Sequence, residues 1–306
     1  MGRLTPKIVK MTSPAKNTKE DTLFLTGIIL SMFCWGLSWT SGKILTGYGS
    51  PLSISLFRFF ITFVSLLIIL LFTKTKLSIG LKGLPGLLGA ALCIGIYTFL
   101  FFKGLSVGKA GAGGVLVTTL NPIISYTIML LVTNRKPTTY EAIGLLAGIA
   151  AGAVLLRVWD NWQNIANAGN IYFLAASFSW AILSLFTARS SRYGSPMAFS
   201  LWMYGLCSLF IFFITSWNEN VSIAINGDLS FWANLIFSAT ITTSLATTFY
   251  FVATSKLGAS KASSFIFLVP FSAALGSWVF LKEIPEIHTI AGGLMGIVAV
   301  YILNKK

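Results

Sequence analysis

The sequence contains one charged side chain, Arg58, that lies well inside a long apolar segment. A cation at bilayer depth costs at least about 2.5–3.5 kcal/mol on insertion scales, so such residues usually face the interior of a helix bundle. Two roles fit Arg58. It could hold a substrate carboxylate, or it could have a structural role, either as a clamp on helix-end carbonyl groups or as a side chain that extends toward the membrane surface. The residue type and position leave both roles open.

Serine and threonine recur at helical spacing along several apolar segments and form polar stripes, of which the clearest contains Thr240, Thr243 and Thr247. Such residues often hydrogen-bond neighbouring membrane helices, but several stripes in one chain also suggest a shared central cavity. The tryptophans of these segments lie too deep for an interfacial belt, which favours a cavity wall. The predicted substrate-binding residues are Trp35, Trp39, Arg58, Tyr97, Asn121, Trp180, Thr243 and Tyr250.

Two prolines, Pro122 and Pro270, fall inside apolar segments. Each removes a backbone hydrogen bond and frees a carbonyl group, which must then face protein or a water-filled cavity. Asn121 lies beside the first proline and shares a helical face with Thr118 and Ser125. We predict that both prolines are hinges, with ordinary packing as the alternative.

Residues for covalent or metal chemistry are not arranged for it. His288 is the only histidine, and every Asp and Glu lies at a segment end or in a connection. Cys34, Cys93 and Cys207 lack metal or redox spacing. We therefore predict no enzyme activity, no cofactor and no metal site.

The elements that position these residues are membrane-spanning helices. The chain has 306 residues, of which 55% are hydrophobic and 10% charged, whereas soluble domains carry about 25% charged residues. Its apolar residues form segments close to the ~20 residues that cross a bilayer as a helix. The fold is predicted to be all-α, with ten transmembrane helices near 23–45, 52–72, 84–102, 110–132, 140–157, 169–188, 196–217, 230–254, 262–281 and 287–303.

Positive charge is distributed unevenly between the two ends of these segments. Of the 22 Lys and Arg residues, sixteen lie on the side of the N-terminus, five on the other side, and Arg58 within the membrane. Cytoplasmic connections carry such an excess, so we predict that both termini are cytoplasmic and that 1–22 form a basic cytoplasmic tail. The net charge of +14 is thereby explained by topology, and nucleic acid is not expected as a partner.

The two halves of the chain repeat one another. Phe33-Cys34-Trp35-Gly36 recurs as Phe178-Ser179-Trp180-Ala181, and Tyr-Gly-Ser-Pro occurs at 48–51 and again at 193–196. Each half contains five predicted spans, an odd number, so the second half must enter the membrane from the opposite side. We predict two inverted five-helix repeats, 23–158 and 169–303. Transporters with inverted repeats bind substrate near the bilayer midplane between the repeats.

These features resemble one known family. The tryptophan of span one, Arg58 in span two, the prolines of spans four and nine, Lys282-Glu283 before span ten and the glycine-rich last helix look like the EamA branch of the drug/metabolite transporter superfamily. The resemblance covers about residues 23–303. This sequence departs from the family pattern in its first half, where Arg135 occupies the position that matches Glu283. The resemblance implies export or exchange of amino acids or other metabolites.

Taken with the residues, this predicts a secondary transporter of the plasma (bacterial inner) membrane that carries an amino acid or a related zwitterion or carboxylate. Export by facilitated diffusion or exchange is expected, because no Asp, Glu or His lies deep in a span to relay protons. An organic-cation (multidrug) exporter is the alternative, and a channel or an intramembrane enzyme is a more distant one. The glycine run at Gly144, Gly148 and Gly152 allows close helix contact, so the chain is expected to be either a monomer or a homodimer through its glycine-rich helices. Its other expected partners are the lipid bilayer and a small-molecule substrate.

Overall fold

The computed structural model of this protein describes residues 19–167, 169–250, 264–303 and 305. These residues are helical or lie in turns and connections, and they contain no strand. The predicted all-α class is therefore confirmed. The predicted tail over 1–22 and the inner ends of the eighth and ninth predicted spans lie largely outside the described residues.

Within the described ranges the helices follow one another through short connections. Eight stretches are long and apolar enough to cross a membrane, and two shorter apolar helices, Phe265–Leu281 and Ile287–Leu303, complete a ten-helix membrane fold. The α-helices are α1 Lys19–Leu45, α2 Pro51–Phe72, α3 Leu84–Val107, α4 Ala110–Thr133, α5 Thr139–Leu156, α6 Asn170–Thr187, α7 Pro196–Ile214, α8 Trp217–Asn226, α9 Leu229–Ile236, α10 Leu268–Leu281 and α11 Ile287–Leu303.

Two of these elements differ from the prediction. The connection expected near 218–229 contains α8, which buries Asn220 and Ile223 while Trp217 stays exposed. Its short amphipathic pattern is too polar for a span but sufficient for a surface helix. The eighth span is α9 continued by a ten-residue π-helix, Phe237–Ala246. π-Helices are rare and often lie at functional sites.

The outer surface of the bundle is apolar, as expected of helices in lipid. Large hydrophobic side chains on different helices are exposed, among them Leu30, Phe60, Leu146, Phe213 and Val298. An apolar surface of this extent is not stable in water. The protein is therefore an integral membrane protein.

Helix contacts occur in matched sets. The first-half helices α1, α2, α3, α4 and α5 correspond to α6, α7, the π-helix, α10 and α11. The contact of α1 with α10 then corresponds to that of α6 with α4, and the contact of α3 with α6 corresponds to that of the π-helix with α1. Likewise α3 packs on α7 as α2 packs on the π-helix, while α2 pairs with α7, α4 with α10 and α5 with α11. Every one of these contacts is retained when each helix of the first half is exchanged for its counterpart in the second.

The glycine-rich faces of α5 and α11 are used inside the chain. A Cβ atom added to Gly144 would lie 2.7 Å from the backbone nitrogen of Leu303, and one added to Gly292 would lie 3.0 Å from that of Leu155. Both glycines therefore allow the two helix backbones to approach more closely than any larger residue permits. Gly148 meets the side chain of Ile123 on α4 in the same way.

The described buried residues form two large clusters and two small ones. The first large cluster joins α1–α6, α8, α9 and α10, with Trp39, Phe101, Phe173 and Phe231 among its members. It lies toward the predicted outer face, the face that carries connections 46–50, 108–109, 157–169 and 282–286. Toward the predicted inner face, which carries 73–83, 134–138 and 188–195, the second large cluster joins α2, α3, α6 and α7, and the small ones join α1 to α10 and α4 to α11.

Candidate functional site

Arg58 lies on α2 and is 9% exposed. Its Nη2 donates a hydrogen bond of 3.2 Å to Oγ1 of Thr243 on the π-helix, and its guanidinium carbon lies 5.5 Å from the ring centre of Phe101 and 5.8 Å from that of Phe102. Among the described residues its Nε is buried without a hydrogen-bond partner. A guanidinium offers five N–H donors, so this one retains unused hydrogen-bonding capacity in a buried position.

A connected row of aromatic rings starts beside this guanidinium. Phe101 lies 4.8 Å from Trp39 and 6.0 Å from Tyr97, measured between ring centroids. Tyr97 in turn lies 4.7 Å from Trp180, and Trp39 lies 5.8 Å from Phe173. The row joins α1, α3 and α6, so three of the predicted site residues, together with Arg58, come to one place. Trp39 is buried, whereas Tyr97 and Trp180 are partly exposed.

The π-helix holds the second part of the predicted site. Trp35 donates from Nε1 to the carbonyl of Thr242 at 3.3 Å, and its ring lies 5.2 Å from that of Tyr250. Thr243 donates to the carbonyl of Ser238 at 2.8 Å, five residues earlier, in keeping with the π-helical repeat. Thr242 donates to the carbonyl of Cys34 on α1 at 3.4 Å, and Ser244 donates to that of Thr62 on α2 at 3.4 Å. The π-helix thus presents hydroxyl groups to both helices.

The residues around the two prolines are arranged differently. Pro122 lies inside the continuous helix α4, whereas Pro270 is the third residue of α10 and follows a 3₁₀ turn, Ser264–Phe267. In a first turn the missing N–H costs little, so Pro270 does not interrupt a long α-helix as its position in the predicted span suggested. Asn121 accepts a hydrogen bond of 3.1 Å from Ser125 on its own helix, and both side chains are partly exposed.

A charged network lies at the predicted outer face. Lys109, at the start of α4, contacts Glu286 at 2.7 Å, and Arg157 lies 3.9 Å from the same carboxylate. Because Lys109 donates to it, the pKa of the Glu286 carboxyl is lowered from its usual value. Glu283 accepts a bond of 3.1 Å from the backbone N–H of Gly111. The network therefore links the beginning of α4 and the end of α5 to the segment that precedes α11.

A small cavity of about 40 Å³ lies within this network, lined in part by Lys109, Ser277, Glu283 and Thr289. It has room for a few water molecules and is too small for a metabolite. It also lies at the end of the bundle, away from the aromatic row and Arg58.

Phe101 and Phe173 were missed from the sequence, although the structure places both in the aromatic row. Phe101 contacts three of the predicted residues, Arg58, Trp39 and Tyr97. Its signal was the i, i+4 spacing from Tyr97, which puts the two rings on one helix face. That signal was hidden because Phe99 and Phe102 lie in the same apolar run.

Comparison with known proteins supports the family resemblance. A sequence profile of the EamA-like transporter family matches residues 23–157 and again residues 167–305. The chain is 26% identical over 292 residues to the uncharacterized transporter YvbV of Bacillus subtilis, covering 94% of this chain and 93% of that one. It is 23% identical to a chloroplastic WAT1-related protein of Arabidopsis thaliana, covering 91% of this chain and 69% of that one.

A solved structure titled only "Crystal structure of protein" matches the fold with a TM-score of 0.56 at 16% identity, covering 92% of this chain and 96% of that one. The profile matches cover both halves of the chain, and the relatives are named as transporters or as WAT1-related. The protein is thus a membrane transporter rather than an enzyme, and it belongs to the EamA-like transporter family.

Proposed function

We propose that this protein is a secondary transporter that moves an amino acid, or a related zwitterion or carboxylate, through a central pathway lined by the aromatic row and the π-helix. The observation that carries the proposal is the buried guanidinium of Arg58, whose Nε has no hydrogen-bond partner among the described residues. It lies beside ring faces and the hydroxyl of Thr243. A ligand with a carboxylate and an apolar part matches both kinds of group.

The charge of Arg58 argues for an anionic group on the ligand. A buried cation with incomplete hydrogen bonding is costly, and a second charge that completes its bonds offsets the cost. Ring contacts with Phe101 and Phe102 supply part of the compensation. A purely structural role would leave Nε unbonded at all times, whereas a bound carboxylate would satisfy it during transport.

For the mechanism we propose alternating access between two inverted repeats, 23–158 and 169–303. The matched helix contacts and the two separate family matches support this arrangement. In such transporters one bundle rocks against the other around a central site. The continuous buried cluster toward the predicted outer face, with the charged network above it, supports a state that is closed toward the outside.

For the energetics we propose facilitated diffusion or exchange, with export as the direction. The acids of this chain lie at helix ends or in connections, so a protein side chain is not available at mid-membrane depth to relay a proton. The solute would therefore move down its own gradient. The proposed location is a plasma membrane of the bacterial inner type with cytoplasmic termini, supported by the unequal distribution of Lys and Arg.

The second candidate is an exporter of organic cations, which the tryptophan and tyrosine rings favour through cation–π contact. Arg58 opposes it. At a separation of about 7 Å and an effective dielectric constant of about 20, two positive charges repel by about 2 kcal/mol. We therefore rank the zwitterion or carboxylate first.

For the transporting unit we propose a monomer. Gly144 and Gly292 are buried against helices of the same chain, which leaves these glycines no free surface for a second copy. A homodimer would have to use another face of the bundle.

Counterflow in proteoliposomes tests the proposed function. Vesicles loaded with one unlabelled solute at a time, from a set of amino acids, monocarboxylates and quaternary ammonium ions, are challenged with the same radiolabelled compound. We expect transient accumulation for a carboxylate-bearing solute, with no need for an imposed pH gradient. Accumulation of quaternary ammonium ions alone would favour the second candidate. Accumulation of a carboxylate that requires a pH gradient and is lost in Glu283→Gln would overturn the proposed energetics.

A further inference from the structure

A basic surface at the predicted inner face is not used by the proposed pathway. It consists of Lys74, Lys76 and Lys82 in the connection 73–83, with Arg189 and Arg192 in the connection 188–195. All five residues are exposed, and neither connection contains an Asp or Glu. We refer to these five residues as the basic patch.

The two connections are held together by specific contacts. The backbone N–H of Gly80 donates to the carbonyl of Tyr193 at 2.8 Å, and Nε1 of Trp202 donates to the carbonyl of Leu77 at 2.8 Å. Gly194 has φ +155°, and a Cβ atom there would lie 2.8 Å from the carbonyl oxygen of Ser78. The charges of two distant parts of the sequence are thus brought to one surface by a fixed backbone arrangement.

The cations of the basic patch have no ion-pair partner among the described residues. The next inner connection differs, because both Nη atoms of Arg135 bond the carboxylate of Glu141. If positive charge served only to orient the chain in the membrane, it would do so equally well in either connection. What distinguishes the patch is that its cations are concentrated and that no carboxylate of the described part of the chain pairs with them.

Apolar side chains next to the patch fix its depth. Phe72 is 85% exposed and Leu81 is 88% exposed; Phe72 immediately precedes the lysine-bearing connection 73–83, and Leu81 lies within it beside Lys82. Trp202, whose indole N–H binds the connection, is also exposed. Aromatic and aliphatic groups beside cations are typical of the boundary between hydrocarbon and headgroups.

We propose that the basic patch binds the headgroup of an anionic glycerophospholipid, with Phe72 and Leu81 against its acyl chains. A phosphodiester at this boundary meets Lys and Arg donors and apolar contacts together, whereas a free phosphate in water meets only the donors. Each cation near an anionic leaflet adds to the attraction. If the termini face the cytoplasm as proposed above, the lipid belongs to the cytoplasmic leaflet.

Native mass spectrometry of the full chain in mixed micelles tests this proposal, with phosphatidylglycerol, phosphatidylcholine and inorganic phosphate as separate probes. The test variant is Lys76→Gln/Arg192→Gln, and the control is Lys103→Gln/Lys136→Gln, which removes the same charge outside the patch. Circular dichroism and size-exclusion chromatography confirm that both variants fold. We expect phosphatidylglycerol to be retained over phosphatidylcholine by the parent and the control, and its affinity to fall about tenfold in the test variant.

Three results would overturn the proposal. They are equal retention of phosphatidylglycerol and phosphatidylcholine by the parent, an equal loss of affinity in the test and control variants, and displacement of the lipid by millimolar inorganic phosphate. The first result would show that the protein does not recognise the charge of the lipid headgroup. The second would show that the cations of the patch bind lipid no better than cations elsewhere on the protein, and the third that the ligand is a free anion.

Discussion

The contact between α5 and α11 allows a stability prediction to be worked out from geometry. An alanine Cβ at Gly144 would lie 2.7, 2.8 and 2.9 Å from N, Cα and Cβ of Leu303. Ordinary van der Waals contact begins at 3.4 Å, and two of these three atoms are backbone. The helices must therefore separate, because a backbone cannot rotate away as a flexible side chain can.

The expected cost follows from two opposing effects. Overpacking by one methyl group in a tight contact costs about 1–3 kcal/mol, and replacing glycine by alanine in a helix returns up to about 1 kcal/mol. Gly144→Ala should thus destabilise the protein by about 1–2 kcal/mol. Gly86 is the matched control, since a Cβ atom there meets nothing within 4 Å. Gly86→Ala should be neutral or stabilising by up to about 1 kcal/mol.

Thermal unfolding of the purified variants in one detergent measures this difference. The two variants should differ by about 1–3 kcal/mol, and at about 2–4 °C per kcal/mol, the value for chains of 150–250 residues, we expect Gly144→Ala to melt about 2–12 °C below Gly86→Ala. Mass photometry on the same samples should give one oligomeric state for both. If Gly144→Ala melts with the control and instead changes the oligomeric state, the glycine face joins two copies and the packing described within the chain is wrong.

Three further predictions concern topology, the pathway and acid stability. Cysteines placed at Ser50 and Ser195 should react with an impermeant thiol reagent from opposite sides of the membrane, and labelling from one side would remove the inverted repeat. Trp180→Ala and Asn121→Ala should each reduce counterflow at least about tenfold, as loss of a positioning contact does, with unchanged expression; parental rates in both would place the pathway elsewhere. The pKa of the Glu286 carboxyl is lowered in the folded protein. Its contribution to stability is therefore present at pH values above its pKa in the unfolded chain, and it is lost as the pH falls through its pKa in the folded protein. The part of the acid decline in melting temperature that is due to this carboxyl should therefore appear below about pH 4 and be absent in Glu286→Gln; an unchanged decline would exclude this ion pair as its cause.

The span count and most span boundaries were accessible from the sequence because hydropathy and length alone select a membrane helix. α2, predicted over 52–72, forms Pro51–Phe72, with Ser50 as the N-cap and Pro51 in the first turn. α8 was missed because its ten residues are too short and polar for that criterion. The π-helix was missed since its residues, Phe237–Ala246, have the same composition as an α-helix with a polar stripe.

The site was predicted in part for a similar reason. The polar and charged members, Arg58 and Thr243, stand out against an apolar background, and the structure joins them by one hydrogen bond. Trp180 was found because it repeats Trp35 in the second half of the chain, and Tyr97 because its hydroxyl is a polar group within its span. Phe101 does not stand out from its neighbours in the sequence, because a phenylalanine that packs in the core is the same residue as one that faces lipid. Only the tertiary packing, through contacts with other helices, distinguishes these two positions.

The central claim is that Arg58 binds a carboxylate of the transported solute, and one counterflow measurement with two changes tests it most directly. The solute found by the screen is compared with its primary amide, in the parent and in Arg58→Gln, with Arg135→Gln as a control for loss of an arginine at the bundle end. We expect the parent to prefer the acid by at least about tenfold, as for one charge-assisted hydrogen bond of about 1.5–3 kcal/mol, and Arg58→Gln to carry acid and amide at similar reduced rates. An undiminished preference for the acid in a folded Arg58→Gln protein would contradict the claim and leave Arg58 a structural residue.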